Sequence, residues 1–144
     1  MVALEMGRVA PTRVRSVISI EGWTHYSVER EAFGDLLRNT LSEVQLQERA
    51  ERRAQVEAKW GKERMVEFAQ VWKRWDGSEF LKATQLPVLE IWGDRGLDQR
   101  PSLEQLRIPK RANIRVEWIE DASHNLPTEK PQEVGKLISG SLGA

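Results

Sequence analysis

The chain has 144 residues, with 22 Lys and Arg against 22 Asp and Glu, two histidines and no cysteine. This length allows one domain with a buried core, and the charge balance leaves no overall field to attract nucleic acid or an anionic membrane. The absence of thiols excludes disulfides and thiolate chemistry. With so few soft ligands, neither a metal nor any other cofactor is expected.

Residues 1–10 read as a helix already under way, with Val2, Met6 and Val9 on one face and Pro11 ending it. A helix that opens without a capping residue suggests a chain cut from something longer. Glu5 and Arg8 interrupt the apolar core that a signal peptide needs, and no later stretch is long enough to span a bilayer. The expected location is the cytoplasm. Val14, Val17, Ile18 and Ile20 follow as a short apolar run, dense enough for a strand buried on both faces.

Residues 27–83 read as helical. Thr40 with Glu43 fits a capping box, and Leu46, Ala50, Ala54 and Ala58 form a small-residue stripe. Gly61 breaks the pattern before a second face of Met65, Phe68, Trp72 and Trp75. Charges of both signs cover the remaining faces, as on a solvated surface. Asp76, Gly77 and Ser78 make a turn that caps a short helix through Ala83. Residues 86–92 are a second strand closed by Gly93, with Pro87 tolerated at its start. Ser102 with Gln105 predicts a short capped helix. Ile114, Val116 and Trp118 then alternate with charged residues, the period-two pattern of a third strand. Val134, Leu137, Ile138 and Leu142 mark a final helix.

Strands alternating with helices predict an α/β fold with a parallel sheet, whose ligands bind beyond the carboxyl ends of the strands. Glu21, Asp94, Asp98 and His124 all fall at or just past those ends. A histidine on a loop leaving a strand is held by rigid backbone and can still reach a cleft, as a general base must. The competing reading is a histidine that only caps or packs.

Two stretches together resemble the α/β-hydrolase family. Pro87-Val88-Leu89-Glu90-Ile91-Trp92-Gly93-Asp94 is similar to its seventh strand and acid loop. Val116 through Pro127, with Pro131 and Val134, resembles its eighth strand, catalytic-histidine loop and final helix. Residues 1–18 resemble the helix after the nucleophile elbow and the sixth strand. The resemblance implies a partial α/β-hydrolase fold: a three-stranded parallel half-sheet with flanking helices and a helical cap insertion. Residues 1–23 and 84–144 would form the core and residues 24–83 the cap.

The resemblance also implies a Ser-Asp/Glu-His triad, with the serine in G-x-S-x-G on a strand-to-helix turn. No serine of this chain lies in that motif. The expectation is therefore the carboxyl-terminal portion of a hydrolase, inactive alone, whose complete form acts on a small-molecule substrate. His124 would be the general base. Family members carry the acid two or three residues past the glycine closing the seventh strand, where this chain has Arg95 and Gly96. Asp98 or Asp94 is the preferred acid. Glu21 ranks third, at an alternative acid position used by haloalkane-dehalogenase-like relatives. Trp23, Trp60, Trp72 and Trp75 would line the cap side of the pocket, with His25 at its wall.

In such a portion the sixth strand lacks its inner partner, and self-association through that exposed sheet edge is expected. The alternative is a non-enzymatic binding or oligomerisation module using the helices between Thr40 and Trp75.

Overall fold

Residues 1–34 and 41–142 are described by the computed structural model. Three strands, β1 (Val17–Ile20), β2 (Val88–Gly93) and β3 (Ile114–Ile119), form one parallel sheet in the order β1-β2-β3. The register pairs Ser19 with Glu90 and Glu90 with Val116, so all three carboxyl ends lie at one edge. β2, hydrogen-bonded on both sides, is buried at every position, which explains its nearly unbroken apolar run.

Alternation along the strands divides the core into two layers. Val17, Val88 and Trp92 pack with Leu4, Val28, Phe33, Leu81, Leu106 and Ile108. On the opposite face Leu89, Ile91 and Ile119 pack with Ala122, Leu126 and Val134. β3 is less covered there, and Arg115 and Glu117 form an ion pair of 3.3 Å on its exposed side.

The helices are α1 (Val2–Val9), α2 (Val28–Phe33), α3 (Glu43–Trp60), α4 (Lys62–Arg74), α5 (Ser78–Ala83), α6 (Leu126–Glu129) and α7 (Pro131–Leu142). The helices differ from the sequence expectation in several places. The predicted inner face of α1 is the outer one: Val2, Met6 and Val9 are exposed, and Leu4 and Gly7 are buried. Gly7 faces inward, where an added Cβ would lie 2.8 Å from Phe80 Cζ and would have to displace that ring. The stripe of Leu46, Ala50, Ala54 and Ala58 is likewise exposed, and neither α3 nor α4 buries a residue. Thr40 lies outside the described residues, and α3 is capped by a reciprocal Ser42–Gln45 box. The helix expected after Ser102 is a single turn. Its capping box forms, but Arg107 at φ 56° ends it, with Ile108 N donating to Leu103 O in a Schellman closure.

Gly61, at φ 77°, separates α3 from α4 as expected. Asp76 Oδ1 accepts from Ser78 N at the start of α5 (2.9 Å). Leu142 at the end of α7 is exposed, although Val134, Leu137 and Ile138 pack on the sheet.

Candidate active site

Each strand is followed by a residue in the left-handed region although none is glycine: Glu21 (φ 50°) after β1, Arg95 (φ 58°) after β2 and Asp121 (φ 50°) after β3. Such a conformation costs an L-residue about 1–2 kcal/mol, and strain of this kind collects where geometry serves function. Here it turns the three loops over one edge of the sheet.

The Glu21 side chain is 2% exposed and receives four contacts. Gly93 N donates to Oε1 (2.6 Å) and Arg95 Nη1 to the same oxygen (3.1 Å). Arg95 Nη2 donates to Oε2 (2.6 Å), and His124 Nδ1 stands 3.2 Å from that oxygen. A carboxylate only accepts, so Nδ1 carries the hydrogen and the lone pair of the neutral imidazole sits on Nε2. The His124 side chain is 35% exposed, enough for a partner to reach the ring. Trp23 stacks on it with centroids 4.6 Å apart, and Trp72 lies 5.7 Å from Trp23, forming an aromatic wall.

The loop under His124 is fixed by backbone and by one acid. Gly93 packs so close that an added Cβ would collide with Ala122 O and lie 2.9 Å from Ser123 O. Arg95 N donates to Ala122 O (3.0 Å). Buried Ser123 donates its N–H to Glu129 Oε2 (2.6 Å) and its hydroxyl to Glu129 Oε1.

Of the acids proposed from sequence, Glu21 is the one the fold brings to His124. Asp94 is buried and faces elsewhere: its Oδ1 accepts from Gly96 N and Asp121 N (both 2.9 Å) and its Oδ2 lies 3.6 Å from Arg100. It shapes the loops. Asp98 is exposed, and among the described residues no hydrogen bond or ion pair joins it to His124. His25 Nδ1 accepts from Ser27 N (3.2 Å) and lies 2.8 Å from Ser27 Oγ, and its backbone bridges to Asp76. That places it beside Tyr26, whose ring also meets Trp72. Trp60 is half exposed at the far end of α3, and Trp75 Nε1 donates to Glu5 (2.8 Å).

Sequence reasoning missed Arg95 and Glu129. The signal for Arg95 was its position, a cation where an acid was expected. Glu129 left none: its partners are the N–H and the hydroxyl of Ser123, and nothing in the sequence pairs the two positions. Among the described residues no group of three or more His, Cys, Asp or Glu is placed to hold a metal, and no helix is long and apolar enough to cross a membrane.

No protein-family model matches the chain, and no curated protein matches it. Solved structures do. MGS-MChE2, an alpha/beta hydrolase enzyme from the metagenome of sediments of the Mar Chica lagoon, Morocco, matches at TM-score 0.61 and 18% identity, over 96% of this chain and 54% of that one. Est816, an N-acyl homoserine lactone degrading enzyme, matches at TM-score 0.61 and 21% identity, over 97% of this chain and 62% of that one. The chain thus spans between half and two thirds of these structures. At such identities the likeness establishes the fold: the parallel sheet and its helices are part of an α/β-hydrolase fold.

Proposed function

We propose that this chain is the carboxyl-terminal part of an α/β-hydrolase-type enzyme that cleaves an ester, amide or related bond of a small-molecule substrate. The observation that carries the reading is Glu21 Oε2 at 3.2 Å from His124 Nδ1, on the edge where the three strands end. Through Nε2, His124 takes the proton of an attacking hydroxyl and returns it to the leaving group. Glu21 holds the Nδ1–H tautomer and offsets the imidazolium charge. Trp23 and Trp72 wall the pocket, and the helices between residues 24 and 83 act as its cap. No serine here sits in G-x-S-x-G, so the nucleophile and the oxyanion donors come from a segment outside these residues. Alone, the chain is inactive.

The test uses p-nitrophenyl esters and an N-acyl homoserine lactone. Residues 1–144 alone give no turnover above blank. Joined to the polypeptide encoded directly upstream, they turn over substrate, and His124→Ala or Glu21→Gln each lowers kcat by about 10⁴-fold. Asp98→Asn leaves kcat unchanged. Turnover by residues 1–144 that survives His124→Ala, or a joined enzyme indifferent to Glu21→Gln, would sink the reading.

One observation favours the second reading, a helical binding or oligomerisation module. α3 and α4 expose Val44, Val56, Trp60, Val66, Phe68 and Val71. A monodisperse oligomer that dissociates in Phe68→Ser/Val71→Ser would support it.

A further inference from the structure

The Arg95 side chain is 1% exposed and ends in the middle of the candidate site, yet the proton transfers above do not use it. Its two terminal nitrogens span both oxygens of Glu21, at 3.1 and 2.6 Å. Nη1 also donates to Gly93 O, and the guanidinium carbon lies 3.5 Å over the centre of the Phe33 ring. The fork is therefore held from three sides: a carboxylate, a carbonyl and an aromatic face. The backbone of the same residue donates to Ala122, two residues before His124. Arg95 thus touches Glu21 through its side chain and the loop that carries His124 through its backbone, without reaching the imidazole.

We infer that Arg95 is a positioning residue for His124, acting through Glu21. With Arg95 Nη1 and Gly93 N on Oε1 and Arg95 Nη2 on Oε2, the carboxylate plane cannot turn. The capacity left on Oε2 is aimed at Nδ1. Without the fork, Glu21 keeps the Gly93 bond alone and rotates about it. The imidazole then loses its fixed acceptor, and both neutral tautomers become populated. Only the Nδ1–H form has Nε2 free to accept a proton. A lysine cannot replace the fork, because an ammonium is a point charge that does not span two oxygens in a plane. The inference deepens the proposed function, since positioning His124 matters to chemistry only if His124 is the base.

The experiment reads the His124 ring nitrogens by ¹⁵N NMR in residues 1–144 over a pH series, scoring the signals of the neutral ring. The unsubstituted chain shows a single Nδ1–H signature. Arg95→Met and Arg95→Lys lose it and show both tautomers. Arg95→Met leaves the Glu21 charge buried without the fork and threatens folding. Arg95→Lys keeps charge and length, so it decides the matter if the methionine variant does not fold. A folded Arg95→Lys variant that retains the single Nδ1–H signature overturns the inference. The measurement needs no nucleophile, which separates it from the hydrolase reading. Tautomer loss in an upstream-joined chain that hydrolyses nothing leaves the positioning role standing and removes the hydrolase reading. An active joined enzyme with an unmoved tautomer does the reverse.

Discussion

Glu90 sits at the centre of β2, fully buried between Val88 and Trp92 on an otherwise apolar layer, and neither of its oxygens has a hydrogen-bond partner among the described residues. Burial pushes its carboxyl from 4.5 up to about 8; the Ser19 hydroxyl and the Met1 ammonium oppose the shift, and Glu21 adds to it. Ser19, paired with it in register, lies near enough to weigh on the charge without reaching hydrogen-bonding geometry. The folded state therefore holds a proton that the unfolded chain releases. Below pH 4.5 both states are protonated and Glu90 brings no penalty. As pH rises from there towards 8 the unfolded chain ionises first, and stability falls by about 1.4 kcal/mol per pH unit. Above 8 both states are ionised and the loss is complete, on the order of 5 kcal/mol. A typical domain has about 5–15 kcal/mol in all, so the loss matters.

The perturbation is Glu90→Gln, which keeps the shape and removes the ionisation. The assay is urea unfolding of both chains from about pH 5 to about pH 9. At the acid end the two differ by roughly 1 kcal/mol, since a buried amide and a protonated carboxyl are both poorly satisfied. At the alkaline end the glutamine variant is the more stable by several kcal/mol. Taking the difference between the chains cancels the groups that do not act on Glu90; the Met1 ammonium and Glu21, which do, remain part of the difference. A difference that stays flat across this range would refute the reasoning, because it would mean that Glu90 is solvated or paired in the folded chain.

Two further predictions concern the loop beneath the imidazole. Gly93→Ala drives a methyl into the Ala122 carbonyl, which is backbone and cannot swing aside. It lowers urea-unfolding stability by about 1–3 kcal/mol and shifts the His124 resonances; an unchanged spectrum would contradict it. Glu129→Gln keeps one acceptor for the two Ser123 donors and leaves the other N–H or O–H buried without one. It costs about 1–3 kcal/mol, and amide exchange quickens at Ser123 while β2 stays protected.

The sheet was legible because its signals are local. β2 is a dense apolar run between Pro87 and Gly93, and β3 alternates cleanly from Ile114 to Trp118. Their parallel pairing follows from the crossover between them, which is a single turn with extended chain and not the helix expected. Helix faces were less legible, because a face is defined by what it meets. α1 turns Gly7 inward to admit Phe80, and a glycine leaves no apolar mark in the sequence. The apolar positions of α3 repeat every turn, yet nothing in the described structure covers them. Likewise, the Ser102–Gln105 box marks a helix start but cannot set its length, and one left-handed residue at Arg107 ended it.

The candidate site shows the same division. His124 is marked by its loop and by the strand before it. Its acid is not, since Glu21 lies 103 residues away along the chain. Position alone offered three carboxylates, and the choice among them is electrostatic. A buried charge needs a partner of opposite sign, and Glu21 is the acid with a buried guanidinium laid across both oxygens. Asp94 instead serves two loop N–H groups, and Asp98 remains in water. The arginine two residues past Gly93 is thus the counterpart of the acid after β1. Removing either leaves the other charged in a dry interior, a change that typically costs about 3–5 kcal/mol. The two positions are coupled. Glu21→Gln/Arg95→Met, which removes both charges, should therefore be more stable than Arg95→Met alone.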